Sequence, residues 1–113
     1  MEYKYNALVL RVVDGDTVDL EVRIDCGFRI RTSFQDRFRL YGINAPETRG
    51  PERPEGLRST EALREWCEGK EVVVETLKDK KGKYGRYLAI LWLDGVNLNA
   101  RLVEEGLARE QEY

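Results

Sequence analysis

Apolar and polar positions alternate over much of the first half of the chain, which is the pattern of half-buried β-strands. An apolar run occupies residues 7–13, and a strict alternation then places Val18, Leu20, Val22 and Ile24 on one side. Asp14-Gly15 is a turn signal between these two strands, and Cys26-Gly27 reverses the chain into a third strand that ends at Ile43. We therefore predict a three-stranded meander in the first half of the chain.

The second half combines helical and strand patterns. Residues 46–56 contain all three prolines, which indicates an exposed loop. Leu57–Glu68 has the apolar spacing of a helix that ends at Gly69. Strands are predicted at Glu71–Leu77 and Arg86–Leu93, and a short amphipathic helix at about Leu98–Glu105.

Five strands with a helix after the third is the order of a small closed barrel of the OB type, in which closure removes exposed sheet edges. Periodicity alone fits a sheet-plus-helix α+β sandwich equally well. With 113 residues, the chain is expected to form a single domain over residues 1–113.

Composition restricts the chemistry available to this chain. It contains no histidine, which excludes His-based acid–base catalysis, Ser-His-Asp nucleophiles and almost all zinc sites. The two cysteines, Cys26 and Cys67, are expected to be reduced. No apolar run reaches the roughly 20 residues of a membrane span, so no membrane partner is expected. We expect a cytoplasmic location, or secretion if a leader has been removed before Met1.

The net charge of −2 does not favour strong general binding to nucleic acid. The basic residues are nevertheless clustered, four arginines at positions 29–39 and a lysine-rich run at positions 78–86. A basic face on an acidic body would bind phosphate groups locally.

Residues 39–47 combine three chemically useful groups near the predicted end of a strand. Phosphodiester hydrolysis requires positive charge at the phosphate oxygens, and arginine supplies it through two parallel hydrogen bonds. A hard divalent cation bound by oxygen ligands adds charge, and a carboxylate can deprotonate the attacking water. These requirements match Asp16 and Asn44 as metal ligands, Arg39 and Arg86 as phosphate-binding groups, and Glu47 as general base.

Four segments of the chain resemble the staphylococcal nuclease (thermonuclease) family, in the family's order. They are VVDGDTVDL at 12–20, FRLYGINAPE at 38–47, DKKGKYGRYLA at 79–89 and VNLNARLVEEGLA at 96–108. The resemblance implies a mainly β fold, a five-stranded OB-fold barrel with two or three helices. It also implies Ca²⁺-dependent hydrolysis of DNA and RNA that leaves 3′-phosphate ends. We expect the protein to be a monomer.

The same resemblance implies individual roles. Asp16 is similar to the aspartate that binds the metal, with Asp14 as a second carboxylate and Thr17 as a supporting residue beside it. Arg39 and Arg86 are similar to the two arginines that hold the phosphate, and Glu47 to the glutamate usually assigned as general base. The expected nucleic-acid contacts are Tyr84, Lys83 and Lys81.

Two positions depart from the family pattern. Asn44 stands in place of an aspartate metal ligand, and Ala45 in place of a threonine whose main-chain carbonyl reaches the metal. Ala45 keeps that carbonyl, whereas Asn44 removes one negative charge. We therefore expect weaker Ca²⁺ binding, or a shift of preference towards Mg²⁺ or Mn²⁺. The hairpin before Arg39 is also longer than in the prototype and adds the basic segment Arg29–Arg31.

The predicted function is a metal-dependent nuclease acting on DNA and RNA with little sequence preference. The first alternative is a catalytically inactive OB module that binds single strands, and the second is a protein-interaction domain. The presence of Asp16, Arg39, Glu47 and Arg86 together argues against both alternatives, because a simple binder needs the arginines but has little use for a carboxylate beside a phosphate.

Overall fold

The computed structural model describes residues 3–25, 27–29, 31–78 and 87–111. The strands in these ranges are β1 (Tyr3–Asp14), β2 (Thr17–Asp25), β3 (Arg31–Leu40), β4 (Ile43–Asn44), β5 (Glu71–Lys78), β6 (Tyr87–Leu93), β7 (Val96–Asn97) and β8 (Arg109–Glu110). The helices are α1 (Arg53–Cys67) and α2 (Leu98–Glu104), with a 3₁₀ turn at Gly50–Glu52. None of the described helices is long and apolar enough to cross a membrane.

Strands β1, β2, β3, β5 and β6 close into a barrel. Their order is β3-β2-β1-β5-β6 with antiparallel neighbours, and a parallel pairing of β3 with β6 joins the two ends. Phe38 pairs with Tyr87, and Leu40 pairs with Ala89. Arg39 is therefore the central residue of this pairing. The predicted mainly β, five-stranded OB-like barrel with two helices is thereby confirmed, and the sandwich alternative is excluded.

The alternating side chains of the strands fill the barrel. Val18, Leu20 and Val22 are completely buried, as their spacing predicted. Leu63 from α1 and Leu102 from α2 join the same apolar cluster, so both helices are packed onto the barrel. Burial of each such side chain contributes about 1.5–3 kcal/mol, which makes the barrel a rigid support for its loops.

Three element boundaries differ from the sequence-based prediction by more than one residue. β1 begins at Tyr3 rather than Ala7, because residues 3–6 pair with β5. β3 ends at Leu40, since Gly42 takes a positive φ of 79° and separates β3 from β4. α1 begins at Arg53, inside the predicted loop. Pro54 is compatible with the first turn of a helix, where no intrahelical N–H bond is required.

Asn99 connects helix α2 to β6 and to the turn that follows β3. Its Nδ2 donates to the carbonyls of Tyr41 (2.9 Å) and Ala89 (3.0 Å), and its Oδ1 accepts from the Leu91 N–H (3.2 Å). The residue is buried, so these bonds satisfy groups that would otherwise lack partners. Sequence reasoning missed this role, because Asn99 lies far from its partners along the chain.

Cys67 is a free thiol in the core, in agreement with the prediction that it is reduced. Its Sγ donates to the carbonyl of Leu63 at 3.2 Å. Burial raises the pKa of Cys67 to about 12, which keeps the thiol protonated and unreactive. Cys26 lies outside the described residues.

Candidate active site

A cavity of about 290 Å³ lies where the β1–β2 turn, the end of β3 and the segment after β4 meet. It brings together every site residue predicted from the sequence that the structure describes. Its lining is Asp14, Asp16, Thr17, Arg39, Asn44, Ala45, Pro46, Glu47 and Thr48. The other predicted residues, Tyr84, Lys83, Lys81 and Arg86, lie outside the described residues, and their roles stay predictions.

Asp16 is buried and held on several sides. Its Oδ2 accepts the N–H of Ala45 at 2.9 Å, and its Oδ1 accepts the hydroxyl of Thr17 at 3.2 Å. Its own N–H donates to Oδ1 of Asp14 at 3.0 Å, which shapes the β1–β2 turn. The carbonyl of Asp16 accepts from the N–H of Leu40 at 2.7 Å. The main chain and the carboxylate of Asp16 together thus join the turn, the end of β3 and the segment after β4.

Burial, together with the hydrogen bond and negative charge of Asp14, raises the pKa of Asp16 to about 6. The Ala45 N–H and the Arg39 guanidinium act in the opposite direction. Two neighbouring carboxylates in a confined space disfavour ionisation, and a bound cation would favour it. The electrostatics of the cavity therefore suit a positively charged ligand.

Arg39 is half-buried, and its guanidinium is oriented by acceptors from three parts of the chain. Its Nη2 lies 3.3 Å from the carbonyl of Ile43, 3.4 Å from Oδ1 of Asn44 and 3.3 Å from Oε1 of Gln111. Oδ2 of Asp16 is 3.9 Å away. These contacts hold the guanidinium at the wall of the site cavity, where it can donate hydrogen bonds to an anion.

Gln111 was not found by sequence reasoning. Strand β8 pairs with β4, and the N–H of Gln111 donates to the carbonyl of Gly42 at 2.9 Å, which brings its side chain to Arg39. Gln111 is 72 residues from Arg39 in sequence, and no local pattern marks it. Only the pairing of the C-terminal strand with the site segment reveals it.

Glu47 follows Pro46 and is exposed. It lines the site cavity and also a second cavity of about 450 Å³, whose lining includes Arg58, Ser59 and Arg109. A carboxylate exposed at the cavity wall is accessible to water, as a general base for hydrolysis requires.

Helix α1 packs against two segments that carry site residues, the β1–β2 turn and the segment after β4, and small residues make this close approach possible. A methyl group at Gly56 would collide with the carbonyl group of Glu47, so the helix directly contacts the backbone of this segment. A methyl group at Gly15 would lie 2.7 Å from Cβ of Ser59 and 2.8 Å from Cβ of Ala45. Sequence reasoning missed Gly56 because it assigned this residue to a loop.

Gly15→Ala is expected to destabilise the fold by about 1–3 kcal/mol and to displace Asp16 from the Ala45 N–H, because both colliding carbons belong to packed elements. Thermal unfolding and urea titration measure the stability. Adding Ala45→Gly removes one of the two collisions and should restore part of the loss. Equal stability of Gly15→Ala and the parent would contradict this packing.

The cavity contains oxygen donors of the kind that hard cations bind. They are the carboxylates of Asp14 and Asp16, the amide oxygen of Asn44 and main-chain carbonyls. Among the described residues, no group of three or more acidic, histidine or cysteine side chains is arranged to hold a metal. Two carboxylates with neutral oxygens fit a cation that keeps water ligands or shares substrate oxygens, rather than a fully enclosed ion.

Comparison with known proteins places the chain in a family. The sequence model for the family described as staphylococcal nuclease homologue matches residues 37–113. The thermonucleases of Staphylococcus intermedius and Staphylococcus hyicus are 34% and 32% identical to it, over 94% and 93% of this chain and 60% and 59% of their own lengths. Endonuclease YncB of Bacillus subtilis is 31% identical over 92% of this chain and 47% of its own length.

The chain thus spans about half to three fifths of the length of these relatives. The family match extends from the end of β3 to the C-terminus and includes Arg39, Glu47 and Gln111. The chain belongs to the family of staphylococcal nuclease homologues.

Proposed function

We propose that this protein is a metal-dependent nuclease that hydrolyses phosphodiester bonds of DNA and RNA with little sequence preference and leaves 3′-phosphate ends. The observation that carries the proposal is the convergence of Asp16, Arg39 and Glu47 on one cavity. Relatives named thermonuclease and endonuclease support it.

In this mechanism Arg39 binds the scissile phosphate. Its guanidinium is already oriented by Ile43, Asn44 and Gln111, so little reorganisation is needed when the anion enters. As water attacks, negative charge grows on the phosphate oxygens, and the charge–charge attraction to Arg39 strengthens. This difference between ground state and transition state is what accelerates the reaction.

Glu47 is proposed to accept the proton of the attacking water. The water oxygen forms a bond to phosphorus while the bond from phosphorus to the 5′ oxygen breaks, and the leaving oxygen takes up a proton. A divalent cation held by Asp14, Asp16, Asn44 and the Ala45 carbonyl would add positive charge at the phosphate. Ca²⁺ is proposed as the natural ion, with Mg²⁺ and Mn²⁺ as candidates that accept the same donors.

Asn44→Asp is expected to tighten Ca²⁺ binding by about tenfold, because it adds a third carboxylate to those of Asp14 and Asp16. Isothermal titration calorimetry of the metal alone measures this change. Asn97→Asp is the matched control, since Asn97 caps α2 by accepting the Ala100 N–H and an aspartate can do the same. An unchanged affinity in Asn44→Asp would remove residue 44 from the ligand set.

A second candidate function is a binding module without catalytic activity. Asn44 and the lack of a three-carboxylate cluster in the described residues favour it, because both imply weak metal binding. Cleavage of denatured DNA in EDTA, Ca²⁺, Mg²⁺ and Mn²⁺ separates the two functions. Cleavage that requires a metal supports the nuclease and identifies its ion. Binding of single strands without cleavage in any metal supports the module.

A further inference from the structure

Strand β3 presents a row of polar side chains on its outward face, and the row begins at the candidate site. Alternate residues of a strand share a face, and Phe38 and Leu40 occupy the buried one. The outward residues are Arg31, Ser33, Gln35, Arg37 and Arg39. Each can donate a hydrogen bond, and none carries a negative charge. We call these five residues the β3 track.

The track lies on an accessible edge of the sheet. β3 pairs with β2 from Arg31 to Arg39, but it pairs with β6 only at residues 38–40. In the part of the chain that the structure describes, residues 31–37 therefore have β2 as their one partner strand, and all of them are exposed. Such an edge can be approached from the side by another polymer.

An aromatic side chain lies beyond the far end of the track, at the tip of the β2–β3 hairpin. Phe28 is 95% exposed, and both Phe28 and Arg29 have positive φ angles, of 55° and 66°. Non-glycine residues rarely adopt this conformation, and bulky ones least of all. The turn thus presents an exposed ring next to an arginine, the combination on which unpaired bases stack.

Two arginines of the track, Arg37 and Arg31, are paired with carboxylates of β2. Arg37 donates to both carboxylate oxygens of Asp19, at 2.8 and 3.2 Å, and lowers the pKa of that carboxyl. Nε of Arg31 lies 3.6 Å from Asp25. A guanidinium carries five N–H donors, and Asp19 takes only two of those of Arg37. A phosphate can therefore bind Arg37 beside its carboxylate partner.

The spacing of the track fits one extended strand of nucleic acid. Alternate residues are about 6.6 Å apart, close to the distance between successive phosphates of an extended single strand, and Arg39 to Arg31 spans about 26 Å. A duplex would keep its bases stacked and paired, out of reach of Phe28. The side chains of the track all come from one β-strand, and this narrow row also favours binding of single-stranded over double-stranded nucleic acid.

We propose that the β3 track and Phe28 bind the part of a single-stranded DNA or RNA substrate that continues from the scissile phosphate at Arg39. This inference rests on the proposed function for its starting point. It adds a binding surface beyond the site cavity, so strands long enough to reach Phe28 are bound better than short ones.

The test measures the dissociation constants of oligothymidylates of about three and about ten nucleotides by fluorescence anisotropy in EDTA, where no metal-dependent cleavage occurs. The longer strand is expected to bind about tenfold more tightly. Phe28→Ala should weaken binding of the longer strand about threefold to tenfold and leave the shorter one nearly unchanged, because only the longer strand reaches Phe28. Arg37→Gln should weaken binding of both strands, because Arg37 is the first track residue beyond Arg39. Arg37→Gln should also reduce the slope of log affinity against log salt by about 0.7.

Lys70→Gln is the control, since Lys70 carries the same charge in the turn between α1 and β5. All three substitutions are at exposed residues, and circular dichroism verifies the fold of each variant. Two results would contradict the proposed role of the β3 track. One is equal affinity for the short and the long oligothymidylate, and the other is an equal loss of affinity in Arg37→Gln and Lys70→Gln. If no metal ion supports cleavage but affinity still increases with the length of the oligonucleotide, the nuclease proposal fails, whereas the proposal that the β3 track binds single strands is supported.

Discussion

Arg39→Ala is expected to lower kcat/KM for denatured DNA by about 10³-fold, because it removes a guanidinium that lines the site cavity and is proposed to bind the phosphate. Most of the loss should appear in kcat, since the interaction strengthens as charge develops on the phosphate. Single-turnover cleavage in the most effective metal ion measures the chemical step directly.

Arg39→Lys tests geometry separately from charge. Lysine keeps the positive charge but lacks the planar fork that makes two parallel hydrogen bonds to phosphate, so an intermediate activity is expected. It also cannot reproduce the set of contacts that Nη2 makes with Ile43, Asn44 and Gln111. Arg23→Ala is the control, because Arg23 pairs with Glu21 and Glu71 outside the cavity.

Activity of Arg39→Ala close to that of the parent would remove the phosphate-binding role of Arg39. Thermal denaturation verifies that the variant is folded, so that unfolding does not explain a loss of activity. Arg39 is only half-buried, so its removal should leave the barrel folded.

Glu47→Gln is expected to lower kcat by about 10²- to 10⁴-fold, the usual contribution of a general base. Glutamine has nearly the same shape and cannot accept the proton. Loss of the negative charge should at the same time leave the affinity for single strands equal or slightly higher, because the carboxylate repels phosphate. Measuring cleavage and oligonucleotide binding on one preparation separates the two effects.

Glu52→Gln is the matched control for this substitution. Glu52 lines the neighbouring cavity of about 450 Å³ together with Glu47, so it reports the effect of removing a nearby carboxylate without removing the proposed base. Similar losses in Glu47→Gln and Glu52→Gln would indicate a general electrostatic effect. A full loss in Glu47→Gln alone would support the base assignment.

These two variants also separate the candidate functions. A binding module needs Arg39 but has no use for Glu47, so its affinity should fall in Arg39→Ala and rise in Glu47→Gln. A nuclease loses turnover in both. The pattern across the two substitutions is therefore more informative than either result alone.

Local patterns in the sequence were sufficient for much of the fold and part of the site. The alternation that buries Val18, Leu20 and Val22, and the turn at Asp14-Gly15, depend on neighbouring residues only, so the meander was predictable. The resemblance identified Asp16, Arg39 and Glu47, which the structure brings to one cavity, because those residues lie within short recognisable segments.

Contacts between distant segments decided the rest. The parallel pairing of β3 with β6 closes the barrel and excludes the sandwich, and no periodicity encodes it. Helix α1 extends over Pro54 and Gly56 because it packs against the backbone of Glu47, whereas proline and glycine locally favour a loop. Gln111 contacts Arg39 only because β8 pairs with β4.

The β3 track shows the same division within a single strand. The sequence by itself determined that Arg31, Arg37 and Arg39 alternate onto one face, because side chains of a strand repeat every two residues. Only the tertiary structure decided that this face lies on an exposed edge leading from the site cavity to Phe28. The physical reason is that local periodicity orients side chains, whereas long-range pairing and packing determine which surfaces remain accessible.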